Sequence, residues 1–237
     1  MKTLYKRVLL KISGEGMSGD KGFGVDSAAV LTLAEQVKKI HSAGVEICIV
    51  VGGGNMFRGA KDCTIGLDRS QADQVGMLAT IMNAVVLKGA LQHLKVEASV
   101  MSGLSVSKVC EDYNFDKATE YLRSGKVLIF AGGTGNPYFT TDTGAVLRAV
   151  EMHCEAVFKS SQVDGVYSAD PKKDKKAVRY DKVSYDEIIA RNLKVMDLTA
   201  VALARDNNLP LVVFSQHQTD SIVNAVCGKG KFSIIKN

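Results

Sequence analysis

The stretch RVLLKISGEG, residues 7–16, passes from a branched apolar run into a glycine-rich turn. Read as a strand, Arg7–Ile12 carries Lys11 at its carboxyl tip and hands the chain to Ser13, Gly14 and Gly16. The arrangement recurs twice. Glu46–Val51 leads into Gly52-Gly53-Gly54-Asn55-Met56-Phe57-Arg58-Gly59, and Val127–Phe130 leads toward Gly132-Gly133-Thr134-Gly135-Asn136-Pro137. Runs such as IVV and VLIF lack the alternation of a half-exposed strand, so their sheet is expected to be covered on both faces.

Outward from these three units, further strands are expected at Val96–Val100, Ala156–Phe158, Leu211–Phe214 and Phe232–Ile235. Helical patterns fall at Ser27–Ala43, Gln71–Leu94, Asp116–Arg123, Thr143–Met152, Tyr185–Ala190, Leu198–Asn207 and Ile222–Val226. In the first, Val30, Leu33, Val37 and Ile40 recur at spacings of three and four, and Gly44 supplies a stop. Strand–helix–strand repetition implies an α/β fold, a three-layer α/β/α sandwich with a mostly parallel central sheet. With no linker or internal repeat, residues 1–237 read as one domain.

Composition narrows the function. Hydrophobic residues at 46% and charged residues at 23% exclude a disordered or fibrous chain. No unbroken apolar run approaches the roughly 20 residues of a membrane helix, and Lys11 interrupts the only apolar stretch near the N-terminus, so neither membrane nor signal peptide is expected. The 5 cysteines are odd in number and lack any CxxC, which disfavours a disulfide framework or zinc site and favours the cytoplasm. A net charge of +5, spread along the chain, suits a small anionic ligand, and nucleic acid is not the expected partner.

The distinctive number is 22 glycines beside 3 prolines. Ligands of open α/β sheets bind at the carboxyl ends of the strands, where all three glycine segments fall. Glycine lets backbone N–H groups approach an anion, and several in one turn form a nest. With Lys11 and Arg58 built in, the three together point to a polyphosphate. Neither familiar phosphate motif fits, because Asp20 stands where a Walker A lysine belongs and Phe57 where the last Rossmann glycine belongs. Thr140-Thr141-Asp142-Thr143 precedes an apolar helix; one of these residues should cap it, and Asp142 is a candidate to orient Lys11 or a Mg²⁺-bound water. The four histidines have no spacing suited to a metal or a triad.

The segments KISGE (11–15), VGGGNMFRG (51–59), GGTGNPYFTTDTGA (132–145), VDGVYSADP (163–171) and VMDLTAVALARDN (195–207) resemble the amino acid kinase superfamily. Through GTGNPYFTTD and ADQVGMLATIMN (72–83) the chain is similar to its bacterial uridylate kinases, from about Tyr5 to the end. The resemblance implies an amino acid kinase-like fold and transfer of phosphate from ATP to UMP in pyrimidine nucleotide synthesis. By matching position it implies that Lys11, Ile12, Ser13, Gly14, Gly54 and Arg58 bind the ATP phosphates, and that Ser161, Tyr167 and Asp170 hold the ATP base and ribose. UMP would be bound by Gly53, by Asp73 on the ribose hydroxyls, and by Thr134, Gly135, Asn136, Pro137, Tyr138, Phe139, Thr140 and Thr141. Lys11, Arg58, Asp142 and Asp197 match the catalytic positions, and Mg²⁺ would be held mainly by nucleotide phosphates. The N-terminal part would mainly serve the acceptor nucleotide and the C-terminal part ATP.

Gly19, Asp20, Lys21, Gly22, Phe23 and Gly24 match a segment linked to activation by GTP; the resemblance also implies inhibition by UTP and a homohexamer built as a trimer of dimers. Two departures stand out. Lys159-Ser160-Ser161-Gln162-Val163 replaces the common KATKV, exchanging a positive charge for Gln162, and Tyr138 replaces a common phenylalanine. A kinase of the same fold acting on a carboxylate or carbamate, and a non-catalytic nucleotide sensor, are the alternatives.

Overall fold

The computed structural model describes residues 2–57, 66–217 and 220–237. Arg58, Gly59 and Cys63 lie outside the described residues. In chain order the elements are β1 (Arg7–Ile12), α1 (Glu15–Ser18), α2 (Ser27–His41), β2 (Glu46–Val51), α3 (Arg69–His93), β3 (Ala98–Ser102), β4 (Glu111–Asp112), α4 (Phe115–Arg123) and β5 (Val127–Ala131). Next come α5 (Thr141–Glu151), β6 (Ala156–Ser161), β7 (Val166–Tyr167), β8 (Arg179–Tyr180), β9 (Lys182–Val183), α6 (Tyr185–Ala190), α7 (Leu198–Asp206), β10 (Leu211–Ser215), α8 (Ser221–Val226) and β11 (Phe232–Ile235).

Nine strands form one sheet in the order β4-β3-β5-β2-β1-β6-β10-β11-β9. From β4 to β10 every pairing is parallel; β11 then runs antiparallel to β10 and carries β9 with it. The sandwich is therefore mostly parallel, as the apolar runs require. Strands β7 and β8 make a separate antiparallel hairpin.

Strand pleating sorts the core into two layers. Val8, Leu10 and Ile12 of β1 face a layer containing Val37 of α2, Leu87 of α3 and Ile222 of α8. Leu9 faces the other way, onto a layer with Leu122 of α4, Val146 of α5, Ile188 of α6 and Val201 of α7. Period two then sets Lys11 on the Leu9 face, toward α5. By the same rule Lys159 of β6 shares a face with Val157, and the parallel register brings Lys11 and Lys159 directly opposite each other.

Most expected elements occur, with informative shifts. Strand β3 begins two residues late because Lys95 turns left-handed (φ 63°) and the Val96 N–H bonds back to Leu91, closing α3. Strand β6 continues through the polar Lys159, Ser160 and Ser161, which pair with Val213, Phe214 and Ser215 of β10. Helix α3 starts earlier than its apolar pattern, where Asp68 and Gln71 form a capping box. Asp73 therefore sits inside the helix rather than opening it. By length and composition α3 is also apolar enough to cross a membrane; here Ala84, Leu87 and Leu91 pack it into the core.

Candidate active site

The three glycine segments emerge from β1, β2 and β5, which lie side by side in the sheet. The Gly52 N–H donates to the Ile12 carbonyl at 2.8 Å, joining the first two loops. Gly14 packs so closely that a Cβ there would stand 2.9 Å from the backbone nitrogens of Gly54 and Asn55. In the third loop Gly135 has φ 80°, and a Cβ would lie 2.5 Å from the Gly103 carbonyl oxygen.

Helix α3 fixes two of these loops from below. Asn83 is fully buried and donates through Nδ2 to the Gly52 carbonyl and to Asn55 Oδ1, both at 2.7 Å. Asn55 donates to Asn83 Oδ1 at 3.2 Å and to the Gly24 carbonyl at 2.6 Å. Thr80 Oγ1 accepts the Gly132 N–H at 2.8 Å. Asn55, Thr80 and Asn83 were not among the expected site residues. Thr80 and Asn83 showed in the sequence only as polar residues on the core side of an apolar helix, and Asn55 only as a member of the second glycine loop. The Asn55–Gly24 bond, with the Gly24 N–H donating to the Asn55 carbonyl, also ties the Gly19–Gly24 segment to the second loop.

At the floor, Asp142 near the start of α5 meets both lysines. Lys11 Nζ stands 2.8 Å from Oδ1, an ion pair without hydrogen-bond alignment. Lys159 Nζ donates to Oδ2 at 2.5 Å and to the Val195 carbonyl at 2.6 Å. The side chains of Lys11, Asp142 and Lys159 are only 10, 12 and 14% exposed, so their pairing carries weight that a surface ion pair lacks. Burial pushes the Asp142 carboxyl up, but Lys11 and Lys159 outweigh it and hold its pKa below the ordinary value. Burial, against the pull of Asp142 and with the push of Lys11, leaves the Lys159 pKa below that of a free lysine. Lys159 carried no role in the sequence reading, since only the β1–β6 register brings it beside Lys11 and Asp142.

Asp197 meets this group through the helix that carries Asp142. It caps α7 by accepting the Ala200 N–H at 3.0 Å, and it accepts the Thr143 hydroxyl at 2.8 Å and the Thr140 hydroxyl as well. Thr140 in turn is the α5 cap, accepting the Asp142 N–H at 3.0 Å. Asp197 thus holds the helix that carries Asp142, while its own oxygens stay occupied.

Asp73 Oδ2 accepts the Tyr138 N–H at 2.8 Å and the Arg69 guanidinium at 2.9 Å. That bond, with Arg69 over the Tyr138 ring at 5.4 Å, holds Tyr138 at φ 72°, a region few aromatic residues visit. Beside it opens a cavity of about 150 Å³ lined by Gly53, Asp73, Thr134, Phe139 and Thr141, with Gly54 and Gly133. Five of the positions expected to hold UMP therefore converge on one hollow. Across the sheet edge, Ser161 ends β6, Tyr167 donates to Asp164 at 2.6 Å, and exposed Asp170 accepts the Lys172 N–H at 2.9 Å in a surface turn. Among the described residues no three His, Cys, Asp or Glu side chains converge as a metal cage.

The sequence profile of the amino acid kinase family matches residues 6–215. The chain belongs to the amino acid kinase family. This amino acid kinase is 51% identical to a protein named uridylate kinase from Paramagnetospirillum magneticum, the match covering 98% of this chain and 97% of the other. A second uridylate kinase, from Ehrlichia ruminantium, is 49% identical over 98 and 96% of the two chains. Among solved structures, the UMP kinase from Ureaplasma parvum superposes with a TM-score of 0.94 at 36% identity, over 100% of both chains. The UMP kinase from Bacillus anthracis gives 0.93 at 38%, over 98 and 96%.

Two measurements probe the site's construction. Because the Asp142 pKa is lowered, its contribution to stability is complete above the unfolded value, about 3.9, and is lost as pH falls through the folded value. The urea midpoint should therefore drop below about pH 4 in the parent chain, and Asp142→Asn, already weaker at pH 7, should lack that component. Replacing Asn83 with alanine strands buried partners in Asn55 and Gly52; a loss of about 3 kcal/mol in urea unfolding is expected.

Proposed function

We propose that this amino acid kinase is a UMP kinase, passing the γ-phosphoryl group of ATP to the phosphate of UMP. The observation that carries the reading is the buried Lys11–Asp142–Lys159 group at the meeting point of the glycine loops. Within bonding reach it sets two ammonium groups against one carboxylate, and a polyanion supplies the missing negative charge. Such a site serves phosphoryl transfer, which depends on positioning and on neutralising the charge of the transferred group. An acceptor phosphate is already anionic at neutral pH, so no general base is required. The names of the relatives at about half identity support UMP as acceptor.

In this reading Lys11, Ile12, Ser13, Gly14, Gly54 and Arg58 serve the ATP phosphates, and Ser161, Tyr167 and Asp170 its base and ribose. The hollow beside Asp73 takes UMP, with the loop from Thr134 to Thr141 closing over it. The N-terminal part of the domain then serves mainly the acceptor and the C-terminal part the donor. Asp142 is already paired through both oxygens, and Asp197 already accepts from the Thr140 and Thr143 hydroxyls and the Ala200 N–H, so these carboxylates fit a Mg²⁺ that arrives on the nucleotide phosphates. When bound, that ion neutralises phosphate charge. Lys11 and the loop N–H groups orient the phosphates, and Asp142 keeps Lys11 aimed at them. Asp197 is a positioning residue.

Activation by GTP near Gly19–Gly24 and inhibition by UTP belong to the same reading; the bonds between Asn55 and Gly24 support a link from that segment to the active loops. The homohexamer is supported by the exposed stripe of Leu78, Met82, Val85 and Val86 on α3, a face suited to another copy of the chain. Cysteine usage supports a cytoplasmic location.

An acceptor panel of UMP, CMP, dTMP, aspartate and carbamate, with ATP and Mg²⁺ in a coupled ADP assay, tests the reading. UMP should be preferred, and aspartate or carbamate as the better acceptor would replace it with the carboxylate or carbamate alternative. Lys11→Met should lower kcat on the order of 100-fold or more with the fold kept. Asp73→Asn should raise the KM for UMP more than that for ATP.

A further inference from the structure

The exit of β6 is joined to the first glycine loop by a chain of side chains. Gln162 Nε2 donates to Glu15 Oε2 at 2.6 Å, and Gln162 Oε1 lies 2.6 Å from His217 Nε2. Next to His217, Gln216 Oε1 accepts the Ser13 hydroxyl at 3.1 Å, and Ser13 Oγ accepts the Gly16 N–H at 3.3 Å. Side chains of the loop thus reach the ends of β6 and β10 through Ser13 and Glu15, beside the Ser13 N–H bond to Ser160 Oγ at 3.5 Å. Glu15, Gln162, Gln216 and His217 also line a cavity of about 450 Å³ on the α2 and α8 side of the sheet. None of the four lines the hollow beside Asp73.

A primary amide is suited to the middle of this chain because it both donates and accepts. Here it donates to a carboxylate and accepts from an imidazole N–H. A lysine would satisfy Glu15 but could meet His217 only in the other imidazole tautomer, and a carboxylate would repel Glu15.

We infer that Gln162 is a positioning residue for the donor-phosphate loop, setting Glu15 and so the Ser13–Gly16 turn through its bridge to His217. The inference rests on the reading of that loop as the ATP-phosphate site. Its effect falls on the donor nucleotide and spares the acceptor, since the bridge lies away from the hollow that takes UMP. Gln162 and His217 are exposed and Glu15 is half-buried, so the effect is modest.

Steady-state kinetics with ATP and UMP separate the two claims. If the parent chain forms no ADP from ATP and UMP, the kinase reading fails, whatever Gln162 does. Given turnover, Gln162→Glu, which sets a second carboxylate against Glu15, should raise the KM for ATP about fivefold and leave the KM for UMP unchanged. Adding Glu15→Gln exchanges the two ends of the bond and should recover most of that loss. An unchanged KM for ATP, an equal rise for both substrates, or no recovery in the double variant overturns the inference.

Discussion

Everything at the carboxyl edge of this sheet depends on placing two lysines side by side. Lys11 and Lys159 sit opposite each other in paired parallel strands, both turned into the same helical layer. Two ammonium groups that close repel by roughly 3 kcal/mol at an effective dielectric of about 20, and burial removes the water that would screen them. Asp142 relieves that repulsion by facing both, which is why α5 must begin where it does. Thr140 and Asp197 then fix its first turn, and the pairing of α5 with α7 follows from the same requirement.

The second constraint is the seating of the glycine loops. Loops rich in glycine have high conformational entropy when free, so their shape has to be held by neighbours. Helix α3 does this with Asn83 and Thr80, two polar residues on an otherwise apolar side. The same helix brings Asp73 to the backbone of Tyr138. One 25-residue element thus aligns the second and third loops and one wall of the hollow beside them.

Much of this was legible in the sequence, for identifiable reasons. Continuous apolar runs marked β1, β2 and β5, and glycine after each marked the ligand edge. Lys11 stood out because it interrupts an apolar run, and Asp142 because it sits in a cap segment just after the third glycine loop. Lys159 was hidden, because a lysine ending an apolar run reads as a strand terminus until β10 extends the pairing to Ser161. The two-residue strands β4, β7, β8 and β9 are too short for any periodicity to register. The start of α3 was read two residues late because the capping box at Asp68 precedes the apolar pattern. Asp197 illustrates the limit of matching by position: the match identifies an acidic residue at the site, and only its three donors reveal that it braces the helix bearing Asp142.

The close approach of Gly14 to Gly54 and Asn55 makes the first two loops a single fitted surface. The close contacts include backbone nitrogens, which no substitution in the second loop can remove, so any side chain at position 14 has to push the loops apart. Position 14 thus acts as a spacer between two loops, and a series of side chains of rising size there would gauge how far the loops can separate before the edge of the sheet stops working as one surface.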